Sequence, residues 1–170
     1  VGVYEDSMDL FIGSEDVIDA YTTPDGLNIT FISDNGSVAT VDADGKVTAV
    51  GEGNATITVS VGGDGVYVLN STTVAVSVGK VTTEILIANE TIDLKVLDNV
   101  SSGATLIPDA GNLTYTSSNP DVAVVEDGMI IALAEGSAVI TVSFAGNETY
   151  AAAESKDITV TVSLRDASVG

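Results

Sequence analysis

The amino-acid sequence predicts an all-β fold made of two β-sandwich domains in tandem, and three observations support this prediction. Apolar residues make up 45% of the 170 residues, and most are Val, Ile, Ala and Leu interleaved with Thr and Ser, a composition that favours strands. Short apolar runs recur about every 8 to 12 residues with turn signals between them, as in a sandwich or a barrel. The third observation is an internal repeat that divides the chain into two halves.

The repeat is clearest in two segments, residues 37–50 and 121–133, which each read as a strand, an acidic Gly turn and a second strand. Equivalent residues stand 84 positions apart through most of the repeat, as Leu10 and Leu94 do, and 83 apart between the hairpin and the last strand. Loops tolerate such single-residue insertions. We place the domains at residues 1–79 and 80–164, and residues 165–170 in a linker that begins a third repeat.

Each repeat is predicted to contain seven strands and no helix longer than one turn. In the first repeat we expect strands near residues 8–12, 17–22, 27–32, 37–41, 46–50, 54–61 and 72–78. Their counterparts are expected near residues 92–96, 103–107, 112–116, 122–125, 129–133, 137–144 and 157–162. Alternation of apolar and polar residues determines the face that a strand buries. The side chains predicted to face the two cores are Ala55, Ile57, Val59, Val61, Val74, Val76 and Val78, and Ala138, Ile140, Val142, Phe144, Ile158, Val160 and Val162.

The turns and the junction between the repeats have their own signals. Asp127-Gly128 suits a two-residue type I′ turn, in which both residues need a positive φ. Residues 43–45 suit a three-residue loop with Gly45 in the left-handed region. The junction at residues 79–83 is short, and an odd number of strands makes the chain enter and leave a sandwich at opposite ends. We therefore expect two domains arranged end to end, as a rod.

Residues of both repeats carry a family resemblance. The run Thr-Ser-Ser-Asn-Pro-Asp-Val-Ala-Val-Val at 116–125, followed by Gly128, Ala132, Glu135-Gly136 and Ala138-Val-Ile-Thr-Val142, resembles the bacterial immunoglobulin-like domain, group 2. The first repeat matches it with Ser37-Val-Ala-Thr-Val-Asp, Gly45-Lys-Val-Thr-Ala-Val and Ala55-Thr-Ile-Thr-Val59. The resemblance implies an immunoglobulin-like (Ig-like) sandwich used in tandem in adhesins such as intimin and invasin, and no catalytic residues. Phe31 and Tyr115 stand where the family often has a Trp.

Charge and composition argue against several classes of partner and reaction. The formal net charge is −20, from 25 acidic and 5 basic residues, whereas nucleic acids and anionic membranes require a basic surface. No stretch approaches the ~18 continuous apolar residues of a membrane span, so no direct membrane contact is expected. The sequence has no His, Cys or Trp, which eliminates Ser-His-Asp and Cys-His nucleophile systems. Because the carboxylates are scattered through turns rather than paired, we predict that the protein is not an enzyme.

The strongest functional signal is the density of N-glycosylation motifs. Eight of the nine asparagines stand in Asn-X-Ser/Thr, although the Ser and Thr content predicts only about two by chance. Outward strand faces are polar, which accounts for part of this excess but not for all of it. The predicted glycosylation sites are Asn28, Asn35, Asn54, Asn70, Asn89, Asn99, Asn112 and Asn147. Such sites imply an extracytoplasmic protein, and together with the resemblance they indicate an archaeal source.

No metal or cofactor site is predicted. Residues 42–45 resemble the start of an EF-hand loop, but Ala49 and Gly53 stand where later oxygen ligands belong, so a hairpin turn is favoured. The alternative is a weak Ca²⁺ site between the domains, formed by acids such as Asp64, Glu84 or Glu148.

These observations predict a non-catalytic segment of a cell-surface, adhesin-like protein, which acts as a glycosylated stalk or spacer in cell adhesion. The alternative is a direct adhesive module that recognises a partner-cell protein or glycan through its loops or an edge strand. The matched Tyr67 and Tyr150 are predicted to pack under the last loop, with sugar stacking as the alternative. The expected partners are an unknown cell-surface molecule and adjacent Ig-like repeats of the same chain. We expect the chain to be a monomer at the cell surface or outside the cell.

Overall fold

The computed structural model describes residues 1–169, and the chain divides into two compact units, Val1–Val81 and Thr82–Gly170. Residues 1–169 contain strands and no helix, so none of them belongs to a long apolar helix of the kind that crosses a bilayer. The predicted start of a third repeat ends at Gly170, which lies outside the described residues. Residues 164–169, which precede it, have no regular secondary structure.

The first unit is built from nine strands. They are β1 (Gly2–Val3), β2 (Ser7–Phe11), β3 (Glu15–Val17), β4 (Ala20–Tyr21), β5 (Ile29–Ser33), β6 (Ala39–Val41), β7 (Lys46–Ala49), β8 (Gly53–Val61) and β9 (Asn70–Gly79). The order β2-β9-β8-β5 makes a four-stranded sheet, β3-β7-β6 a three-stranded sheet, and β1 pairs with β4. Strand β2 runs parallel to β9, and the other pairs are antiparallel.

The second unit repeats this topology strand for strand. Its strands are β10 (Glu84–Leu86), β11 (Thr91–Lys95), β12 (Asn99–Ser101), β13 (Thr105–Ile107), β14 (Thr114–Ser117), β15 (Ala123–Glu126), β16 (Met129–Ala132), β17 (Gly136–Phe144) and β18 (Ala153–Ser163). The sheets are β11-β18-β17-β14, β12-β16-β15 and β10-β13, and β11 is parallel to β18. The chain therefore contains two tandem β-sandwiches of one design.

Each unit buries its own apolar core between its two larger sheets. All fourteen side chains that alternation predicts to face the cores are buried, none of them more than 7% exposed. Full burial of a Val, Leu, Ile or Phe side chain stabilises a fold by roughly 1.5–3 kcal/mol. The chain has no cysteines, and the packing of these side chains is therefore the main source of stability in each unit.

The strand predictions fail where the chain changes sheets. The predicted strand at residues 17–22 is two strands, β3 and β4, because β3 pairs with β7 whereas β4 pairs with β1. The crossing occurs at Ile18, which is buried. In the second unit the same crossing separates β12 from β13, and Gly103 lies there with a φ of 66°. Strands β1, β10 and β12 were not predicted, because two or three residues carry no periodic signal.

The predicted turns are confirmed. Asp127 and Gly128 connect β15 to β16 with φ values of 48° and 77°, as a type I′ turn requires. Gly45 has a φ of 82° in the longer loop between β6 and β7. These turns lie beside the surfaces described next.

Candidate functional surfaces

Seven of the eight predicted glycosylation asparagines are exposed, and Asn35 is half-buried. Three of the eight side chains, those of Asn35, Asn70 and Asn147, make hydrogen bonds within the chain. The Oδ1 of Asn35 accepts a hydrogen bond from Ser37 Oγ at 2.6 Å, within its own motif. The Oδ1 of Asn70 accepts one from the amino group of Val1 at 2.9 Å. Because most of these asparagines are exposed, a glycan-transferring enzyme can reach them.

Asn147 differs, because its amide is part of a turn. Its Nδ2 donates to the carbonyl of Ala110 at 2.9 Å, and its Oδ1 accepts from the backbone N–H groups of Thr149 and Tyr150 at 3.0 and 2.8 Å. In the first unit Asp64 has the equivalent position, and its Oδ1 accepts from two backbone N–H groups at 2.9 Å each. Asn147 thus has a structural role that is independent of glycosylation.

The turn at Asp64 predicts a pH dependence. Hydrogen bonds from the backbone N–H groups of Tyr67 and Val66 lower the pKa of the Asp64 carboxyl below its ordinary value of 3.8. The charged carboxylate therefore stabilises the turn above pH 3.8, and this contribution is lost as the pH falls through the lowered pKa. We expect the amide proton shifts of Val66 and Tyr67 to titrate with a midpoint below 3.8.

The matched control for that titration is Asp64→Asn, which copies the second unit. The Asn side chain keeps the acceptor oxygen but has no carboxyl to titrate. The amide shifts of residues 66 and 67 should then stay constant over the same pH range. A midpoint at or above 3.8 in the wild type, or an unchanged titration in the variant, would contradict this assignment.

A groove occurs at the same place in both units, between strand β5 or β14, the segment before it and the turn that joins the hairpin strands. It was not predicted from the sequence. Its matched lining residues are Ala20, Asn28, Ile29, Phe31 and Asp44 in the first unit, and Ala104, Asn112, Leu113, Tyr115 and Asp127 in the second. A predicted glycosylation asparagine and an aromatic ring line each groove. The equivalence of Asn28 and Asn112 in the repeat was the available sequence signal.

The aromatic wall of the groove differs between the units in a matched pair of residues. In the first unit Phe31 packs against the core and Ile18 is 5% exposed. In the second, the hydroxyl of Tyr115 forms a hydrogen bond of 3.1 Å with Ser102 Oγ, and Ser102 is 3% exposed. An apolar pair in one unit is thus replaced by a hydrogen-bonded pair in the other, so that the buried Ser hydroxyl is satisfied.

This pair gives a prediction for a double-mutant cycle. Tyr115→Phe removes the hydroxyl and should lower the free energy of unfolding of the chain by about 0.5–1.5 kcal/mol. Once Ser102→Ala is present, the same replacement should cost much less, because the hydroxyl that pairs with Tyr115 is already gone. Urea titrations of the wild type, both single variants and the double variant measure the coupling. Additive effects would show that the hydrogen bond contributes nothing.

The turn that resembles an EF-hand start uses its acid for backbone hydrogen bonds. The Oδ1 of Asp42 accepts from the backbone N–H groups of Asp44 and Lys46 at 2.9 Å each. This is the hairpin turn that the sequence favours. Within either unit, over residues 1–169, no three acidic side chains are grouped as a metal would require.

One exposed ion pair connects strands β3 and β7. The ammonium of Lys46 lies 2.7 Å from a carboxylate oxygen of Glu15. The hydrogen bond from Lys46 lowers the pKa of Glu15, and the same hydrogen bond raises the pKa of Lys46. Both side chains are about half exposed, so the pair contributes little to stability.

The loop before β9 is apolar and exposed in the first unit. Val66, Val68 and Leu69 are 80%, 90% and 64% exposed. The packing prediction for the two tyrosines is confirmed for Tyr150, which contacts the second core, and wrong for Tyr67, which is 42% exposed and lies outside the first. The physical reason is that the second unit ends its central strand with Phe144 where the first has Val61, so a larger apolar surface there needs cover.

The chain enters and leaves each unit at opposite ends of its last strand. The amino group of Val1 contacts Asn70, the first residue of β9, and the unit ends after Gly79, the last residue of that strand. In the second unit Thr83 Oγ1 donates to the carbonyl of Ala151 at 2.8 Å, just before β18 begins. With ten residues in β9 at ~3.3 Å each, the chain advances by about 30 Å per unit.

Charged side chains hold the residues that follow β18 in the second unit. Arg165 forms an ion pair with Asp98 and donates its Nε to the carbonyl of Val96 at 2.8 Å. Lys95 donates its Nζ to the carbonyl of Leu164 at 3.1 Å. These contacts hold the residues after β18 against the turn that follows β11.

Comparison with protein families identifies the first unit. The family model "Bacterial Ig-like domain (group 2)" matches residues 11–69. The first unit is a bacterial Ig-like domain of group 2. A second family model, "Hyaluronate lyase, N-terminal beta-sheet domain", matches residues 107–152 of the other unit. The resemblance predicted from the sequence is therefore confirmed for the first Ig-like domain.

Comparisons with whole proteins found a sequence relative and a solved structure that shares the fold. An uncharacterized protein of Clostridium acetobutylicum is 32% identical over 145 residues, which are 78% of this chain and 14% of that protein. The chain thus spans about one seventh of the curated relative it matches. The titin domains Z1Z2, solved in complex with telethonin, superpose with a TM-score of 0.55 at 13% identity over 96% of this chain and 95% of theirs. Domains 1–6 of the surface layer protein SbsC give a TM-score of 0.49 at 23% identity over 82% of this chain and 20% of theirs. The predicted all-β, Ig-like fold class is confirmed.

Proposed function

We propose that this chain is a non-catalytic segment of a cell-surface, adhesin-like protein and acts there as an N-glycosylated stalk or spacer. The observation that carries the proposal is the path of the chain through each domain. The chain enters at one end of the last strand and leaves at the other, so each domain adds about 30 Å of length. A domain that returned the chain to its starting end would add none.

Two further observations support a spacer. Each domain has its own core and the same topology, so copies can be added in series without changing their neighbours' packing. The relative from Clostridium acetobutylicum is about seven times longer than the matching region, as expected for a segment embedded in a long protein. The exposed glycosylation motifs and the net charge of −20 favour a hydrated surface that repels non-specific contacts.

The spacer is tested by measuring a distance between two spin labels. The chain has no cysteine, so Glu5→Cys near the start and Ser163→Cys near the end, both at exposed positions, take labels specifically. We expect one narrow distribution, at a distance well beyond that of a label pair within one domain. The pair Glu5→Cys and Ser77→Cys provides a reference within one domain. A broad distribution that extends to the single-domain distance would contradict a stiff spacer.

Glycosylation and location are tested on the native protein. Mass spectrometry of the protein from its own source should find glycans on several of the eight asparagines, and surface-directed proteolysis of intact cells should release this segment. Eight bare asparagines would remove the glycan part of the proposal, and a segment protected in intact cells would remove the surface part.

The second candidate is direct adhesion, which the exposed loop at residues 66–69 favours. Three large apolar side chains on one loop are an unusual surface for an acidic protein, and such patches mark interaction sites. In a cell-binding assay, replacement of Val66, Val68 and Leu69 by Ser should abolish binding if this loop is adhesive. Equal background binding by both proteins would favour the spacer.

A further inference from the structure

Among the eight glycosylation motifs, one pair occupies equivalent positions in the two domains. Asn28 and Asn112 are 84 residues apart, as are Thr30 and Thr114, which complete the two motifs. The other six have counterparts that are not motifs; Asn54 corresponds to a Ser and Asn147 to Asp64, for example. The structural surroundings that Asn28 and Asn112 share therefore belong to the repeated fold and not to one domain alone.

That shared feature is the groove. Asn28 and Asn112 are both exposed and line the grooves of their domains. Within the part of the chain that the structure describes, neither side chain makes a hydrogen bond, in contrast to Asn147, whose amide is occupied at both atoms. The amide nitrogen of each asparagine is thus free to carry a substituent at the edge of a concave surface.

The groove has the chemistry that a sugar ring needs. Its lining includes one aromatic ring, Phe31 in the first domain and Tyr115 in the second. Both rings are half-buried, which leaves part of each ring open to the C–H bonds of a sugar. Asp44 in the first domain and Asp127 in the second supply carboxylates that accept hydrogen bonds from sugar hydroxyls. The lining of each groove exposes somewhat more polar than apolar surface, which suits a ligand that carries many hydroxyl groups.

We propose that Asn28 and Asn112 carry N-linked glycans whose first sugar ring lies in the adjoining groove, against Phe31 in the first domain and Tyr115 in the second. The proposal rests on the glycosylation proposed above and adds where the sugar binds. Transfer from a lipid-phosphate-linked oligosaccharide forms a bond between Asn Nδ2 and C1 of the sugar. It breaks the bond between C1 and the phosphate oxygen and releases the lipid phosphate and one amide proton. The glycan then covers the end of the core beside the hairpin turn.

The test uses the whole chain secreted from a host that attaches N-glycans. Thr30→Val together with Thr114→Val removes both motifs while keeping the asparagines and suitable strand residues. Thr56→Val is the matched control, because it removes the motif of Asn54, which lines neither groove. Glycopeptide mass spectrometry measures occupancy, and NMR measures nuclear Overhauser effects between the first sugar and the aromatic rings.

We expect Asn28 and Asn112 to be occupied, with Overhauser effects to the rings of Phe31 and Tyr115. Enzymatic removal of the glycans should lower Tm by roughly 4–8 °C in the wild type and the Thr56→Val control, and by much less in the double variant. Unoccupied Asn28 and Asn112 would overturn the proposal, as would occupied sites without contacts to these rings. Contacts from the Asn28 glycan to Tyr67, in the neighbouring depression, would also overturn it.

This experiment separates the inference from the proposed function. Glycans that contact the rings in the secreting host would support the groove even if the native protein proved to be bare, in which case the glycan part of the proposed function would fail alone. Native glycans whose first sugar ring does not contact Phe31 or Tyr115 would overturn the groove proposal and leave the proposed function unchanged.

Discussion

Replacing Ile57 by Ala is expected to lower the free energy of unfolding of the first domain by about 2–5 kcal/mol. Ile57 is fully buried in β8, the central strand that pairs with both β5 and β9. The replacement removes apolar contacts and leaves a cavity that neighbouring strands cannot close without breaking their register. A domain of this size has a marginal stability, so the loss is a large fraction of the total.

The control for Ile57→Ala is Thr58→Ala on the same strand. Thr58 lies on the outer face opposite Thr73, and its replacement should change the free energy of unfolding by less than about 0.5 kcal/mol. Urea titration measures both variants. Ile140 has the equivalent buried position in β17, and Ile140→Ala should destabilise the second domain similarly. Equal effects of the Ile57 and Thr58 replacements would contradict the assignment of the core face.

Replacing Gly136 by Ala is expected to destabilise the second domain by an amount comparable with the effect of Ile57→Ala, through two separate causes. Gly136 has a φ of 147°, a conformation that costs a residue with a side chain about 1–3 kcal/mol. In addition, a Cβ at this position would lie 2.8 Å from the Cγ2 of Val122, which is buried. Overpacking of this kind typically adds about 1–3 kcal/mol.

Two controls separate the causes in Gly136→Ala. Gly13 also has a positive φ, 87°, but a Cβ there would meet nothing within 4 Å. Gly13→Ala should therefore show only the backbone cost of about 1–2 kcal/mol. Gly53→Ala in the first domain should behave like Gly136→Ala, since its Cβ would lie 3.0 Å from Val38. If the three variants lost the same free energy in thermal or urea unfolding, the contact with the buried valines would be unimportant.

Local patterns in the sequence predicted much of each domain correctly. Alternation along 54–61 and 137–144 identified the buried side chains because a strand in a two-layer sandwich buries every second residue. Asp127-Gly128 identified its turn because few residues adopt a positive φ. Both signals depend on neighbouring residues alone. The family resemblance came from the same segments, and residues 11–69 match that family.

Features that depend on distant partners were missed. Strands β1 and β10 form only because β4 and β13 lie beside them. The change of sheet at Ile18 has no signal in the residues around it. The exposure of Tyr67 depends on Val61 at the end of β8, which leaves less apolar surface to cover than Phe144 does. The sequence identified eight motifs but not the amide of Asn147 that is held in a turn.

The sequence by itself determined that the chain is all-β, that its structural repeat occurs twice, and which side chains enter the cores. These features can be predicted because strand period and turn type depend on only a few neighbouring residues. Tertiary structure decided the rest. The crossing between sheets, the pairing of Ser102 with Tyr115 and the groove beside Asn28 and Asn112 each join segments that are distant in sequence. Their positions follow from packing between strands, which no local pattern contains.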